Sequence, residues 1–192
     1  VCYLDTDLPD LITQKKDLMA SLQVSNTVLK GNIKMVALNA LDETAFNEVV
    51  NTFPEGPVVI VNEGLLMYLN NHEKEKLCKI IYQILKQRGG YWITGDIYIK
   101  TTLERTNDAA DDSLKELTDQ QGIEENMFES FEAAASFFKQ SGFVIDREAL
   151  PDHAKLSSLP YLISNATATQ LMELTNAPKK IQASWRLAIE SN

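Results

Sequence analysis

Pro57-Val58-Val59-Ile60-Val61-Asn62-Glu63-Gly64-Leu65-Leu66-Met67-Tyr68-Leu69 is the stretch on which the reading of this chain turns. Val58 to Val61 are all β-branched, and a run of that kind suits a strand with neighbours on both sides and helices over both faces. The expectation is a buried, parallel strand. It stops at Asn62-Glu63-Gly64, which sets a carboxylate beside a glycine at the carboxyl edge, where open α/β sheets bind their ligands. An acid in that place has little to do for folding.

On either side of this strand the pattern alternates. Val1 to Leu4 read as a strand ending in Asp5-Thr6-Asp7, and Leu8-Pro9-Asp10 begin a helix with proline and acid in its first turn. Lys34 to Leu38 read as a second strand that runs into Asn39-Ala40-Leu41-Asp42, followed by a helix through Phe46, Val49 and Val50. After the central stretch a helix from about Glu73 to Arg88 has Leu77, Ile80, Ile81, Ile84 and Leu85 on one face. Asn70 and Glu73 fit a capping box, and Gly89-Gly90 a helix end. Tyr91 to Ile97 make a fourth strand, a helix spans about Glu129 to Gln140, and Phe143 to Ile145 and Ala183 to Ile189 make the last two strands. Residues 101–123 are polar and acidic and read as a lid or substrate-side insertion; a helix through Leu171, Met172 and Leu174 follows two prolines. Strands alternating with helical crossovers imply an α/β fold with a doubly wound, mostly parallel sheet.

Composition narrows the field. The chain has 192 residues, 44% of them hydrophobic, enough for one sizeable core, so residues 1–192 are expected to form a single domain. A formal net charge of -9 without a basic cluster argues against nucleic acid as a partner. Cys2 and Cys78 lack metal or redox spacing and read as reduced core thiols. His72 and His153 lack a paired acid or cysteine, so no metal is expected. With no apolar run approaching the ~20 residues of a membrane span and no leader, the expected location is the cytoplasm. The opening Val1-Cys2-Tyr3-Leu4, already strand-like, suggests a chain that begins part-way through its fold.

Polar groups follow three strands in succession: Asp5 and Asp7, then Asn39 and Asp42, then Glu63. A strand-end carboxylate can pair with the vicinal diol of a ribose, which Asp5 or Asp7 could do. Asp7 reads equally as the N-cap of the helix that Pro9 begins. Asn39 is either a turn former or a contact to an adenine amino group, and Asp42 an N-cap. Tyr68 is either a core aromatic or a hydroxyl that orients an acceptor oxygen.

The blocks Tyr3-Leu4-Asp5-Thr6-Asp7-Leu8-Pro9 with Lys15 and Lys16, Asn39-Ala40-Leu41-Asp42 and Asn62-Glu63-Gly64-Leu65-Leu66-Met67-Tyr68-Leu69 resemble the leucine carboxyl methyltransferase family, the bacterial O-methyltransferases of polyketide biosynthesis most of all. Trp185 and Arg186 resemble that family's closing strand. The resemblance implies a class I, Rossmann-like methyltransferase that uses S-adenosyl-L-methionine. It implies that Asp7 (with Asp5 beside it) holds the ribose, that Asn39-Ala40 stand where the family has Asp-Leu near the adenine, and that Glu63-Gly64 are its post-strand pair. Asparagine at 39 keeps an acceptor and loses a charge. The family's first strand, its glycine-rich loop and an upstream basic residue have no counterpart after Val1.

Methyl transfer from a sulfonium is an in-line displacement that gains chiefly from holding nucleophile, carbon and sulfur collinear. A carboxylate acceptor needs no base, whereas a hydroxyl does; no base stands out, and Tyr68 is the candidate for orienting a small-molecule carboxylate or hydroxyl. Two rival readings remain. One is a nicotinamide-dependent oxidoreductase, which shares the strand-end acid and the doubly wound sheet but for which no hydride-transfer constellation stands out, and the other a degenerate binding module that kept the sheet and lost the activity.

Overall fold

The computed structural model describes residues 2–24, 33–100, 123–150, 155, 157–167 and 180–190. The expected insertion at 101–122, the helix through Leu171 to Leu174, and His153 lie outside them. The chain divides into two compact units, Val1–Val58 with His72–Gly90, and Val59–Asn71 with Tyr91–Asn192.

In the first unit, β1 (Leu4–Asp7) pairs in parallel with β2 (Lys34–Ala37), Asp5 opposite Met35 and Asp7 opposite Ala37. Helix α1 (Pro9–Val24) makes the crossover that a parallel pair requires. The strand begins three residues later than the sequence pattern suggested, so Asp5, Thr6 and Asp7 belong to it. Side chains two apart share a face of a strand, which brings Asp5 and Asp7 to the same side. Helix α2 (Glu43–Val50) starts where expected: Asp42 caps it, its carboxylate accepting from the Ala45 amide at 3.0 Å, and Phe46 and Val50 are buried. Helix α3 (Asn71–Arg88) buries Leu77, Cys78, Ile80, Ile81, Ile84 and Leu85, the 3.6-residue stripe that its sequence carries.

Arg88, at the end of α3, donates to the carbonyls of Gly56 at 3.0 Å and Val50 at 3.4 Å, and to that of Pro54. One planar guanidinium thus holds the last carbonyl of α2 and two of the loop leading into the next strand. Gly89 and Gly90 follow with φ of 71° and 109°. Open space surrounds Gly89, but a Cβ on Gly90 would lie 1.8 Å from the Val58 carbonyl oxygen.

In the second unit the four-stranded sheet runs β3 (Val58–Asn62), β4 (Gly90–Tyr98), β6 (Gln182–Ile189), β5 (Phe143–Glu148). Strand β3 starts with the Val58 amide donating to Gly89 and ends with Asn62 reaching Thr94 and Asp96, so β3 and β4 run the same way. Strands β4 and β6, and β6 and β5, are antiparallel. The sheet is therefore mixed, not mostly parallel as the alternating pattern suggested. The reason is the long excursion before β6, which brings the last strand back between β4 and β5 in the opposite direction.

Strand β3 also departs from expectation. It is an edge strand of this sheet, and Val59 and Val61 are 57% and 64% exposed. β-branching makes a backbone extended; it does not provide cover for the face it decorates. Cys2 is likewise exposed, while Cys78 is buried, so only one of the two thiols belongs to a core. The core of the second unit is aromatic. Phe138 of α5 (Phe131–Gln140) packs edge-on to Trp92 with ring centres 5.4 Å apart and to Trp185 at 6.2 Å, and Phe143 meets Trp92 at 5.4 Å. The short helices α4 (Ile123–Asn126) and α6 (Leu159–Asn165) complete the described elements.

Gly90→Ala is expected to cost upwards of about 3 kcal/mol or to prevent folding, because backbone, not a yielding side chain, occupies the space of the new methyl. Gly89→Asn, in open space at a left-handed angle that asparagine tolerates, is expected to cost about 1 kcal/mol or less. Urea denaturation of the two variants measures the difference.

Candidate functional site

The residues singled out from the sequence fall in both units: Asp5, Asp7, Asn39 and Ala40 in the first, Glu63, Gly64 and Tyr68 in the second. Within the first, the structure brings Asp5 and Asp7 together on a single cation. Lys15, two turns into α1, sits 3.1 Å from a carboxylate oxygen of each. The hydrogen bond to Asp7 raises the Lys15 pKa most, burial opposes it, and Asp5 adds to the rise. Asp7 also accepts from the Leu8 amide at 2.9 Å. The helix starts at Pro9, so Leu8 holds the N-cap position and the expected capping role of Asp7 is not realised; the aspartate braces the turn one residue earlier. Asn39 behaves as a turn former, its side-chain oxygen accepting from the Leu41 amide at 3.0 Å and its carbonyl from the Asp42 amide at 2.9 Å. Ala40 follows within the same turn.

The second unit holds the more developed arrangement, and its centre is a residue that the sequence pattern did not single out. Asp96 is 2% exposed. Its Oδ1 accepts from the Gly64 amide at 2.7 Å, and its Oδ2 from the Leu65 amide at 2.7 Å, the Leu66 amide at 3.0 Å and Asn62 Nδ2 at 2.7 Å. The first amides of the 3-10 turn Leu66–Tyr68 are thereby satisfied by a buried anion. Asn62 is fixed in turn, since its Nδ2 also reaches Thr94 Oγ1 at 3.1 Å and its Oδ1 accepts from the Trp92 indole at 2.5 Å. Gly64 takes the turn at φ 66°, an angle that disfavours β-branched or bulky residues.

Asp96 stands at an irregularity. The β4–β6 register slips between Thr94 and Ile97, a bulge of the sort that re-aims a side chain. Gln182, opposite Tyr98 in the ladder, closes the defect by donating to the Gly95 carbonyl at 2.7 Å and the Tyr98 hydroxyl at 2.9 Å. Burial raises the Tyr98 pKa most, the negative charges of Asp96 and then Glu63 raise it further, and the bond from Gln182 pulls it down.

The turn held in this way carries Glu63 at the carboxyl end of β3. Glu63 is exposed, and among the described residues its carboxylate has no hydrogen-bond or ion-pair partner. Tyr68, at the end of the 3-10 turn, is 50% exposed, so it is not the core aromatic of the alternative reading. Among the described residues no group of His, Cys, Asp and Glu could hold a metal ion, and no helix is long and apolar enough to cross a membrane. One sign of Asp96 was present in the sequence: Trp92-Ile93-Thr94-Gly95-Asp96-Ile97 sets an acid within an otherwise apolar strand, where only a well-bonded carboxylate is tolerated.

No protein-family model matches the chain, and no curated protein does. Solved structures do match in fold. OxaC superposes with a TM-score of 0.54 at 9% identity over 98% of this chain and 36% of its own. The mitomycin 7-O-methyltransferase MmcR gives 0.51 at 10% identity over 97% of this chain and 41% of its own, and LepI, solved in complex with SAM, gives 0.51 at 7% over 98% and 36%. The chain thus spans well under half the length of the structures it resembles. At such identities the likeness establishes the fold alone: a mixed α/β architecture shared with these structures, a methyltransferase among them.

Lys15 and Tyr98 give the chain a common alkaline limit. Both pKa values are raised by folding, so the stability they confer is complete below the ordinary values of about 10.4 and 10 and is lost as pH rises through the folded values. Stability is expected to fall with pH above about 10, and Lys15→Met to remove part of that slope while costing about 0.5 to 1 kcal/mol at neutral pH, the range for a partly exposed ion-pair cluster. Denaturant titrations at pH 8 to 11 check both.

Proposed function

We propose that this chain belongs to an S-adenosyl-L-methionine-dependent O-methyltransferase of the leucine carboxyl methyltransferase type, acting on a carboxylate or hydroxyl oxygen of a small molecule. The observation that carries the reading is Glu63, an exposed carboxylate free of described partners on a turn fixed by part-buried bonds to a buried carboxylate at the carboxyl end of a strand, in a fold similar to that of a methyltransferase. An acid left unpaired on a rigid turn suits a polar ligand, because little is lost in ordering it.

The residues fit the cofactor in part. Glu63 and Gly64 offer a carboxylate and an open backbone, and Asp7 keeps lone pairs beyond those used by Leu8 and Lys15. In this reading the resemblance assigns Asp7, with Asp5 beside it, to the ribose diol and Asn39 and Ala40 to the adenine, and names Glu63 and Gly64 as cofactor contacts. Bound there, the cofactor supplies an electrophilic methyl group on a sulfonium. The protein's share is then to bind, orient and exclude water. Tyr68, half exposed beyond the turn, orients the acceptor oxygen through its hydroxyl.

A second reading is favoured by one observation. Lys15 already bridges Asp5 and Asp7 and offsets one of their two charges, as expected of a module that kept the fold without the ligand. The similar structures include a protein described as a pericyclic reaction enzyme, with a TM-score of 0.51, and a fold by itself does not choose the chemistry.

Calorimetric titration with S-adenosylhomocysteine separates the readings. Binding is expected, with Asp7→Ala and Glu63→Ala each weakening it by about 1 to 3 kcal/mol, the range for a lost charged hydrogen bond. Tyr68→Phe is expected to leave that affinity unchanged and to lower turnover of an acceptor. No binding of the nucleoside by the unmodified chain would replace the enzyme by the module, and binding of a nicotinamide dinucleotide instead would make it an oxidoreductase.

A further inference from the structure

We propose that Asp96 is a positioning residue for Glu63: its buried carboxylate, hydrogen-bonded to the amides of Gly64, Leu65 and Leu66, fixes the direction from which Glu63 meets a ligand. The functional half of this inference rests on the cofactor role proposed above for Glu63; the geometric half does not.

Three features point to positioning beyond support of the fold. First, the bonds are concentrated on the residues that follow Glu63 in sequence, at 2.7, 2.7 and 3.0 Å. Gly64 is the next residue, so fixing its amide fixes the peptide plane that carries the Glu63 carbonyl and hence the Glu63 backbone. Second, every donor at Asp96 is an N–H group. Only an acceptor-only side chain can receive them all; asparagine would turn an NH2 toward an amide and break at least one. Third, the carboxylate is aimed by a bulge in β4, and Gln182 holds that bulge through the Gly95 carbonyl. Asn62, the residue before Glu63, bonds the same carboxylate at 2.7 Å. Glu63 is therefore held on both sides by one buried anion while its own carboxylate has no partner among the described residues.

Amide exchange on the unmodified chain tests the geometry. Gly64 lies on an exposed turn, yet its amide and that of Leu65 are expected to exchange on the order of 100-fold more slowly than unstructured amides. Exchange at the unstructured rate would overturn the proposal.

Tyr98 reports on the coupling, because its phenol feels both Asp96 and Glu63. Glu63→Gln is expected to lower the Tyr98 titration midpoint in the unmodified chain and to move it no further in an Asp96→Asn background, where Glu63 is no longer held. A shift of equal size in both backgrounds, which a purely structural role for Asp96 would give, would overturn it. If Asp96→Asn does not fold, Asn62→Ala, which removes one donor and leaves the backbone amides, takes its place. Glu63→Gln should then move the midpoint by less than in the unmodified chain, and an equal movement counts against the proposal.

The functional half is read with S-adenosylhomocysteine. Glu63→Ala and Asp96→Asn are each expected to weaken binding at least about fivefold, and the double variant to bind no more weakly than Asp96→Asn alone. Additive losses, or normal affinity in Asp96→Asn, would overturn the positioning role. A chain that binds no S-adenosylhomocysteine at all removes the methyltransferase reading, while amide exchange and the Tyr98 titration still decide the role of Asp96.

Discussion

A carboxylate taken out of water in the middle of a strand is tolerable only if protein dipoles replace the solvent it lost, and in this chain that condition organises the second unit. Asp96 meets it by gathering amides from the beginning of a 3-10 turn together with the side chain of Asn62. The consequences spread outward. Asn62 must face β4, which fixes the pleat of β3; Trp92 then finds an acceptor for its indole on the same asparagine, tying the aromatic core to the polar row. Gln182 is drawn in to satisfy the carbonyl that the bulge leaves unpaired. Removing the anion would strand four N–H groups at once, of which the Leu66 amide is buried and worth about 1 to 3 kcal/mol.

The elements themselves were legible. Periodicity placed α3 by its stripe from Leu77 to Leu85, and Asp42 and Gly89-Gly90 marked helix ends because capping and positive φ are local matters that neighbours in sequence decide. Strand boundaries were less so. The pattern sets Asp5 and Asp7 at the end of the first strand rather than within it, and the lysine that makes acids acceptable inside it lies ten residues from Asp5. The antiparallel return of β6, the exposure of Val59 and Val61 and the open position of Cys2 are all tertiary outcomes, set by what the rest of the chain covers.

The site divides along the same line. Glu63 and Gly64 were visible from the sequence because a strand end and a turn are both local signals. Asp96 was marked only by its place in a largely apolar strand, for its partners lie 30 to 34 residues away. Tyr98 and Gln182 are directly opposed only because of a register slip, a property of two strands and of neither sequence alone. The similar structures, which include both a methyltransferase and a pericyclic reaction enzyme, make the same point about chemistry: the architecture supplies strand ends, and the side chains there decide what is done with them.

The contact between Gly90 and Val58 has a consequence for how such a chain can change over generations. Most positions in a core drift by small steps, one methylene exchanged for another while neighbours adjust. At 90 there is no small step, since the least possible addition already meets a carbonyl of the adjoining strand. Descendants of this chain are bound to inherit that residue unaltered, or to rebuild the junction of β3 and β4 as a whole before altering it.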